Sequence, residues 1–239
     1  MTNRLTILGS GSANLVPGQG ATSALIEIDG ARLVFDMGRG TASRLAETGR
    51  KQDDIEHLFL SHFHPDHVSD LYPYLHAASW SQIDRRTKDL NIYGQEGTRA
   101  FIDKLFSVFN WKKELMRGYQ VKVHDVKSGP LEIGRLELAV FDLGHSFGLH
   151  HPHFTLCADS GLTGNLVETL KGVPLGVFDA GHLSDAEIIE LAIETGTVHL
   201  IASHQYRPLD EGNLNHAARA KGYTGRITVA SDLLAIPLP

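Results

Sequence analysis

The residues of this chain best equipped for chemistry are His62, His64, Asp66 and His67, carried by Ser61-His62-Phe63-His64-Pro65-Asp66-His67. Imidazole and carboxylate together form a donor set that suits zinc and neighbouring first-row metals. The cluster follows residues 55–60, an apolar run that reads as a buried strand, and a loop at a strand end can turn four such side chains toward one point. His62 and His64 share one direction, whereas Asp66 and His67 can face a neighbouring position, so one segment can feed two ions. His145, Asp159 and His204 each follow a further strand-like run, at 138–143, 154–158 and 198–202. Singly, each reads as well as a satisfied polar residue at a strand end; together they complete the donors for two ions. Asp159, with two carboxylate oxygens, can bridge them.

The elements that must hold these groups are legible in outline. Strands are expected at 5–8, 23–28 and 32–35, with Asp29-Gly30 as a tight hairpin turn, because this pair readily adopts positive φ. A helix over 38–48 ends at Gly49, and one over 68–82 carries Pro73 in its first turn, where a missing amide is tolerated. Residues 90–93 read as a strand and 98–109 as a helix. Strands follow at 119–125, 131–133, 136–142, 154–158, 173–178 and 198–202. Ser184 and Glu187 make a capping box that opens a helix to Glu194, closed by Gly196. A last helix at 214–221 precedes a strand at 226–230. Strands, then mixed strands and helices, twice over, predict an α/β (α+β) chain of sheets packed face to face with helices outside, one domain over 1–239.

Composition narrows the class. The 239 residues carry a formal net charge of −6, which argues against a dedicated nucleic-acid binder. The basic group Arg85, Arg86 and Lys88 reads as a solvated helix end or loop. There is no run of eighteen apolar residues to span a membrane, and the first residues read as a strand rather than a signal peptide. A single cysteine, Cys157, fits a reducing, cytoplasmic setting and packs as a small apolar residue, with oxidation sensitivity if the metals lie close.

The chain resembles the metallo-β-lactamase superfamily along nearly its whole length. The resemblance rests on the histidine cluster, Phe35-Asp36-Met37-Gly38, Gly144-His145-Ser146, Ala158-Asp159-Ser160-Gly161 and Ala202-Ser203-His204. Leu8-Gly9-Ser10-Gly11-Ser12, Asp179-Ala180-Gly181-His182-Leu183-Ser184 and Ala230-Ser231-Asp232 point to the ribonuclease Z and phosphodiesterase branch. This implies a four-layer αβ/βα sandwich and two Zn²⁺ ions, with Mn²⁺ or Fe²⁺ as substitutes. His62, His64 and His145 would surround one ion; Asp66, His67 and His204 the other; Asp159 would bridge. Asp36 would orient ligand imidazoles, although capping the following helix explains it equally well. Asp66 would accept a proton from the attacking water, and His182 would bind phosphate and protonate the leaving group; its plainer role is helix entry beside Ser184. A homodimer is also implied.

Two departures shape the functional expectation. Only thirteen residues separate His145 from Asp159, where ribonuclease Z usually carries a long arm that grips transfer RNA. His150, His151 and His153 fill this interval and read as a histidine-rich loop near the metals. Residues 104–118, rich in aromatic side chains, suit a lid, a dimer contact or core. The first expectation is therefore a phosphodiesterase for a small or nucleotide-like diester, with RNA a secondary partner. A transfer-RNA 3′ endonuclease and an ester, lactone, thioester or sulfate-ester hydrolase are alternatives, and a non-catalytic metal scaffold is a fourth, weighed against by the complete ligand set.

Overall fold

The computed structural model describes residues 3–111 and 118–239. Two seven-stranded sheets form its centre. The first runs, in spatial order, β14 (Leu234–Pro237), β1 (Arg4–Gly9), β2 (Ser23–Ile28), β3 (Ala31–Phe35), β4 (His57–Leu60), β5 (Leu90–Gly94) and β6 (Val121–Asp125). The second runs β13 (Arg226–Val229), β12 (His199–Ser203), β11 (Leu175–Asp179), β10 (Phe154–Leu156), β9 (Phe147–His151), β8 (Leu136–Asp142) and β7 (Gly129–Ile133). In each sheet one part is antiparallel and the other parallel: β3 to β6 in the first, β10 to β13 in the second.

Alternation along the strands builds three cores. Leu5, Ile7, Ile26, Phe35 and Phe59 meet Leu149, Phe154, Leu156 and Ile201 between the sheets. The opposite face of the first sheet, with Leu25, Val34 and Leu58, packs under α1 (Thr41–Glu47), α3 (Leu71–Trp80) and α4 (Thr98–Val108). The outer face of the second packs under α5 (Gly164–Leu170), α6 (Asp185–Thr195) and α7 (Glu211–Ala220). The layers are αβ/βα, as expected. The turn at Asp29-Gly30 takes φ of 49° and 82°, the positive values that its sequence permits. Pro73 lies in the first turn of α3, preceded by the short α2 (Pro65–Val68).

The sequence reading did not foresee β9, α5, β14 or the short α2, whose residues Pro65 to His67 it placed on a loop. The first carries a correction. Residues His150 and His151 belong to β9, and His153 to its tight turn into β10, so the interval is a hairpin rather than a loop. That strand starts beside the histidine cluster, where the Phe147 amide donates to the Ser61 carbonyl at 3.0 Å. It then runs away at about 3.3 Å per residue. His150 bonds Thr155 at 2.9 Å and His151 stacks on Phe154, at the far end of the sandwich from the metal candidates. Arg86 is also not solvated: it is wholly buried and donates to the carbonyls of Gln52, Lys88 and Asp89. Of the aromatic stretch 104–118, Phe106 and Trp111 are core, whereas 112–117 lie outside the described residues.

Candidate metal centre

The candidate residues converge on one end of the sandwich, at the C-terminal ends of parallel strands from both sheets. Asp36 follows β3, His62 and its neighbours follow β4, Asp159 follows β10, Asp179 ends β11 and His204 follows β12. Two of these turns place non-glycine residues at positive φ, 61° for Asp36 and 53° for His204, conformations held only where the surroundings dictate them.

Each of three imidazoles is fixed through Nδ1 so that Nε2 faces the centre. Asp36 Oδ2 holds His67 Nδ1 at 2.7 Å; Ser61 Oγ holds His62 Nδ1 at 3.0 Å; Asp179 Oδ1 holds His204 Nδ1 at 2.9 Å. Orientation through the far nitrogen is how proteins prepare histidine for a metal. Asp159 stands between them, Oδ1 lying 2.9 Å from His67 Nε2 and 3.4 Å from His204 Nε2, and Oδ2 3.5 Å from His62 Nε2. Asp66 Oδ2 is 3.2 Å from His204 Nε2. His64 and His145 complete the rim, with ring centroids 4.6 Å apart, and Ser146 Oγ donates to the Asp159 carbonyl at 3.0 Å to hold the His145 turn in place.

The fit to divalent cations rests on the orphaned atoms. His62 Nε2, His67 Nε2 and Asp159 Oδ1 are buried and none makes a well-formed hydrogen bond. Such groups are costly unless something absent from the chain satisfies them. Donor atoms of His62, His64, His145 and Asp159 all lie within 4.8 Å of one another, as do those of Asp66, His67 and His204. Electrostatics agree. Burial pushes the His67 and His204 imidazoles down, but Asp36 and Asp159 for the first, and Asp179, Asp66 and Asp159 for the second, override it and raise them to about 10 and about 9. The carboxylates favour positive charge at this point of the fold.

Asp36 is completely buried and accepts from the Ser61 amide and hydroxyl, both at 2.8 Å, besides holding His67. It does not cap α1, at whose start the amides of Gly40 and Ala42 donate to Asp70 instead. His182 lies over the group with its side chain 44% exposed, its ring stacked 5.5 Å from that of His204. Its Nδ1 is 2.5 Å from Asp179 Oδ2, and that hydrogen bond, against a smaller effect of burial, raises its pKa above the usual histidine value. Ser184 does cap α6, so the plainer role belongs to Ser184 and not to His182. Cys157 packs beneath α5 and α6 in the outer core, where burial pushes its thiol far up, so it is not poised for oxidation. Sequence reasoning assigned no role to Asp179, although it ends a buried apolar strand, the signal that could have exposed it. It quoted Asp232 only within a motif and gave it no role; Asp232 accepts from the Ser10 amide and hydroxyl, the Gly20 amide and the Arg44 guanidinium, and so closes the loop from Gly9 to Gly20.

Fold and site together define a metallo-β-lactamase fold with donor clusters able to hold divalent metal. The metallo-β-lactamase fold protein YhfI from Bacillus subtilis superimposes with a TM-score of 0.80 over 99% of this chain and 100% of that one, at 17% identity. A diphosphatase of the PhnP family gives 0.76 over 98% and 97% at 18% identity, and human short-form tRNase Z 0.71 over 99% of both at 20%. The family model described as Anti-Pycsar protein Apyc1 matches residues 3–127, and the chain belongs to that family. Among curated proteins, ribonuclease Z of Picrophilus torridus is 31% identical over 126 residues, 53% of this chain and 38% of that protein. The match to ribonuclease Z of Haloferax volcanii, 28% over 147 residues, covers 61% and 44%. The chain thus spans about two-fifths of the length of these curated relatives. Among the described residues, no helix is long and apolar enough to cross a membrane.

Proposed function

We propose that this chain is a metal-dependent phosphodiesterase acting on a small or nucleotide-like phosphodiester. The observation that carries this reading is the Asp179–His182 pair, which places a half-exposed imidazole over the ligand cluster with its proton-holding form favoured. In this reading His62, His64 and His145 would hold one Zn²⁺ and Asp66, His67 and His204 a second, with Asp159 as a further carboxylate ligand; Mn²⁺ or Fe²⁺ could substitute. Divalent cations in such a site supply Lewis acidity and make water a nucleophile near neutral pH. Asp66 takes the proton that the attacking water loses. His182 gives a proton from Nε2 to the departing alkoxide while Asp179 holds Nδ1, a contribution worth roughly 10²–10⁴-fold. The whole chain acts as one domain, and a cytoplasmic homodimer is part of the same proposal.

The test is zinc and manganese content of the purified protein, then turnover of bis-p-nitrophenyl phosphate beside ester and lactone substrates. Diester hydrolysis lost on chelation and restored by either metal is expected; hydrolysis of only the ester or lactone sinks the reading. A second reading, cleavage at the 3′ side of transfer RNA, is favoured by the ribonuclease Z relatives. The hairpin between His145 and Asp159 leaves no arm to grip such an RNA, which weighs against it. Precursor transfer RNA in the same assay separates the two.

A further inference from the structure

At the end of the sandwich away from the ligand cluster, one carboxylate faces three guanidiniums. Arg4 opens β1, Glu27 lies near the end of β2 and Arg32 near the start of β3, side by side across the first sheet. Arg50 reaches in from the loop after α1. Strand β3 runs from Arg32 toward Asp36 at about 3.3 Å per residue, which sets the group roughly 13 Å from that end of the sheet. All three arginines give their Nε proton to Glu27, at 2.6 Å from Arg4, 2.8 Å from Arg32 and 2.9 Å from Arg50. Glu27 is buried and matches one of the three positive charges; Asp54, 3.8 Å from Arg32 Nη1, offsets part of a second. A surplus of positive charge is thus concentrated at one place in a chain whose formal net charge is −6.

The way Glu27 is used leaves donors over. Among the described residues, Nη1 and Nη2 of Arg4 and Nη1 of Arg50 make no hydrogen bond. Both side chains are partly exposed, and with Glu27 and Arg32 they supply the whole charged lining of a cavity of about 240 Å³. Asn3 walls the same cavity and is itself fixed, donating to the Pro239 carbonyl and accepting from the Asp29 amide, each at 2.9 Å. A guanidinium held by its Nε edge presents a planar fork that matches the oxygens of a phosphate group, and holding it beforehand lowers the cost of ordering it. The volume lies below the roughly 300–1,000 Å³ of drug-sized pockets, which suits a small ligand. An adjoining cavity argues against an extended polyanion such as RNA, because the carboxylates of Asp29, Asp53, Asp54 and Glu56 outnumber the cations there.

We propose that Arg4, Arg32 and Arg50 form a binding site for a phosphate group, remote from the ligand cluster, with Glu27 as the carboxylate that positions them. The shared chemistry is a phosphate, free or carried by a small organic molecule, and the site stands whether or not the chain turns over a diester. The test follows the arginine Nε–Hε signals of ¹⁵N-labelled, zinc-loaded protein during titration with inorganic phosphate, methyl phosphate and a short single-stranded RNA. The signals of Arg4, Arg32 and Arg50 are expected to shift together and to saturate. Phosphate should bind about tenfold more weakly in Arg4→Gln and in Arg50→Gln, the size of one lost hydrogen bond from a charged donor. Arg50→Lys, which keeps the charge but not the fork, should fall between parent and Arg50→Gln. Because Arg50 lies outside the strands, its variants test the site without disturbing the sheet. Equal affinity for the two phosphates assigns the site to the bare group; tighter methyl phosphate assigns it to a phosphomonoester. Shifts confined to Arg39, Arg44 and Arg207, whose hydrogen bonds lie on the loop to Gly20 and at Leu183, overturn the proposal. So do an affinity unchanged in both Arg4→Gln and Arg50→Gln, a drift that never saturates, and RNA that binds these arginines more tightly than either phosphate.

Discussion

One carboxylate, Asp179, serves two imidazoles with different tasks. Oδ1 orients His204 toward the ligand cluster and Oδ2 holds the proposed acid, His182. Burial works to neutralise Asp179, but hydrogen bonds from both histidines keep its carboxyl below the ordinary range. Asp179→Asn should therefore damage two functions together. Zinc affinity and turnover should each fall about 10–100-fold, the usual effect of removing a residue that orients a metal ligand. Because Asp179 raises His182, its loss lowers that pKa, so the alkaline fall in turnover should move to lower pH; a pH–rate profile that keeps its alkaline limb contradicts the role. The four donors in residues 62–67 were legible because their spacing is local. The role of Asp179 was not, because its second partner, His204, is 25 positions away and only the fold unites them.

At the level of elements, the charged seam on β1, β2 and β3 shows how the first sheet is held in register. Arg4 and Arg32 sit directly across from Glu27 on the neighbouring strands, and both reach its carboxylate, at 2.6 and 2.8 Å. Arg50 adds a third contact at 2.9 Å. Cross-strand pairs of opposite charge pin a register that a one-residue slip would invert. Burial favours the neutral Glu27, but the three arginines outweigh it and lower its pKa from 4.5. The stability it contributes is thus complete above about pH 4.5 and is lost as the pH falls through the lower folded value. Glu27→Gln, which removes the carboxylate charge that these three guanidiniums share, should cost on the order of 2 kcal/mol at pH 7. Urea midpoints measured from pH 6 to pH 3 should fall less steeply for the variant than for the parent; parallel slopes contradict this. The unforeseen elements have physical causes as well. In β9, Phe147-Gly148-Leu149-His150-His151 offers polar side chains on a strand whose partners supply the burial, so its own pattern is weak. In β14, Leu234–Pro237 alternates half-buried and exposed residues on an edge, and its pairing with β1 spans the whole chain.

Across the whole molecule, neither sheet owns the site. The first brings Asp36 and the segment from His62 to His67; the second brings His145, Asp159, Asp179, His182 and His204. The chain's last strand crosses back to pair with β1, and Asp232 just before it anchors Ser10 and Gly20, so the C-terminal segment closes the loop beside the cluster. Sequence pattern alone predicted face-to-face sheets, and family resemblance the partition of ligands, whereas the docking that makes one constellation from two halves is a property of the inter-sheet core. We propose that this docking sets His182, held by Asp179 and poised to give a proton, over a metal-held phosphodiester. The most direct measurement compares His182→Ala with the parent on a series of diesters from p-nitrophenyl to simple alkyl leaving groups, at matched metal content. Unchanged metal content is predicted, with poor leaving groups slowed by about 10²-fold or more and p-nitrophenyl barely affected. Equal slowing across the series would contradict it.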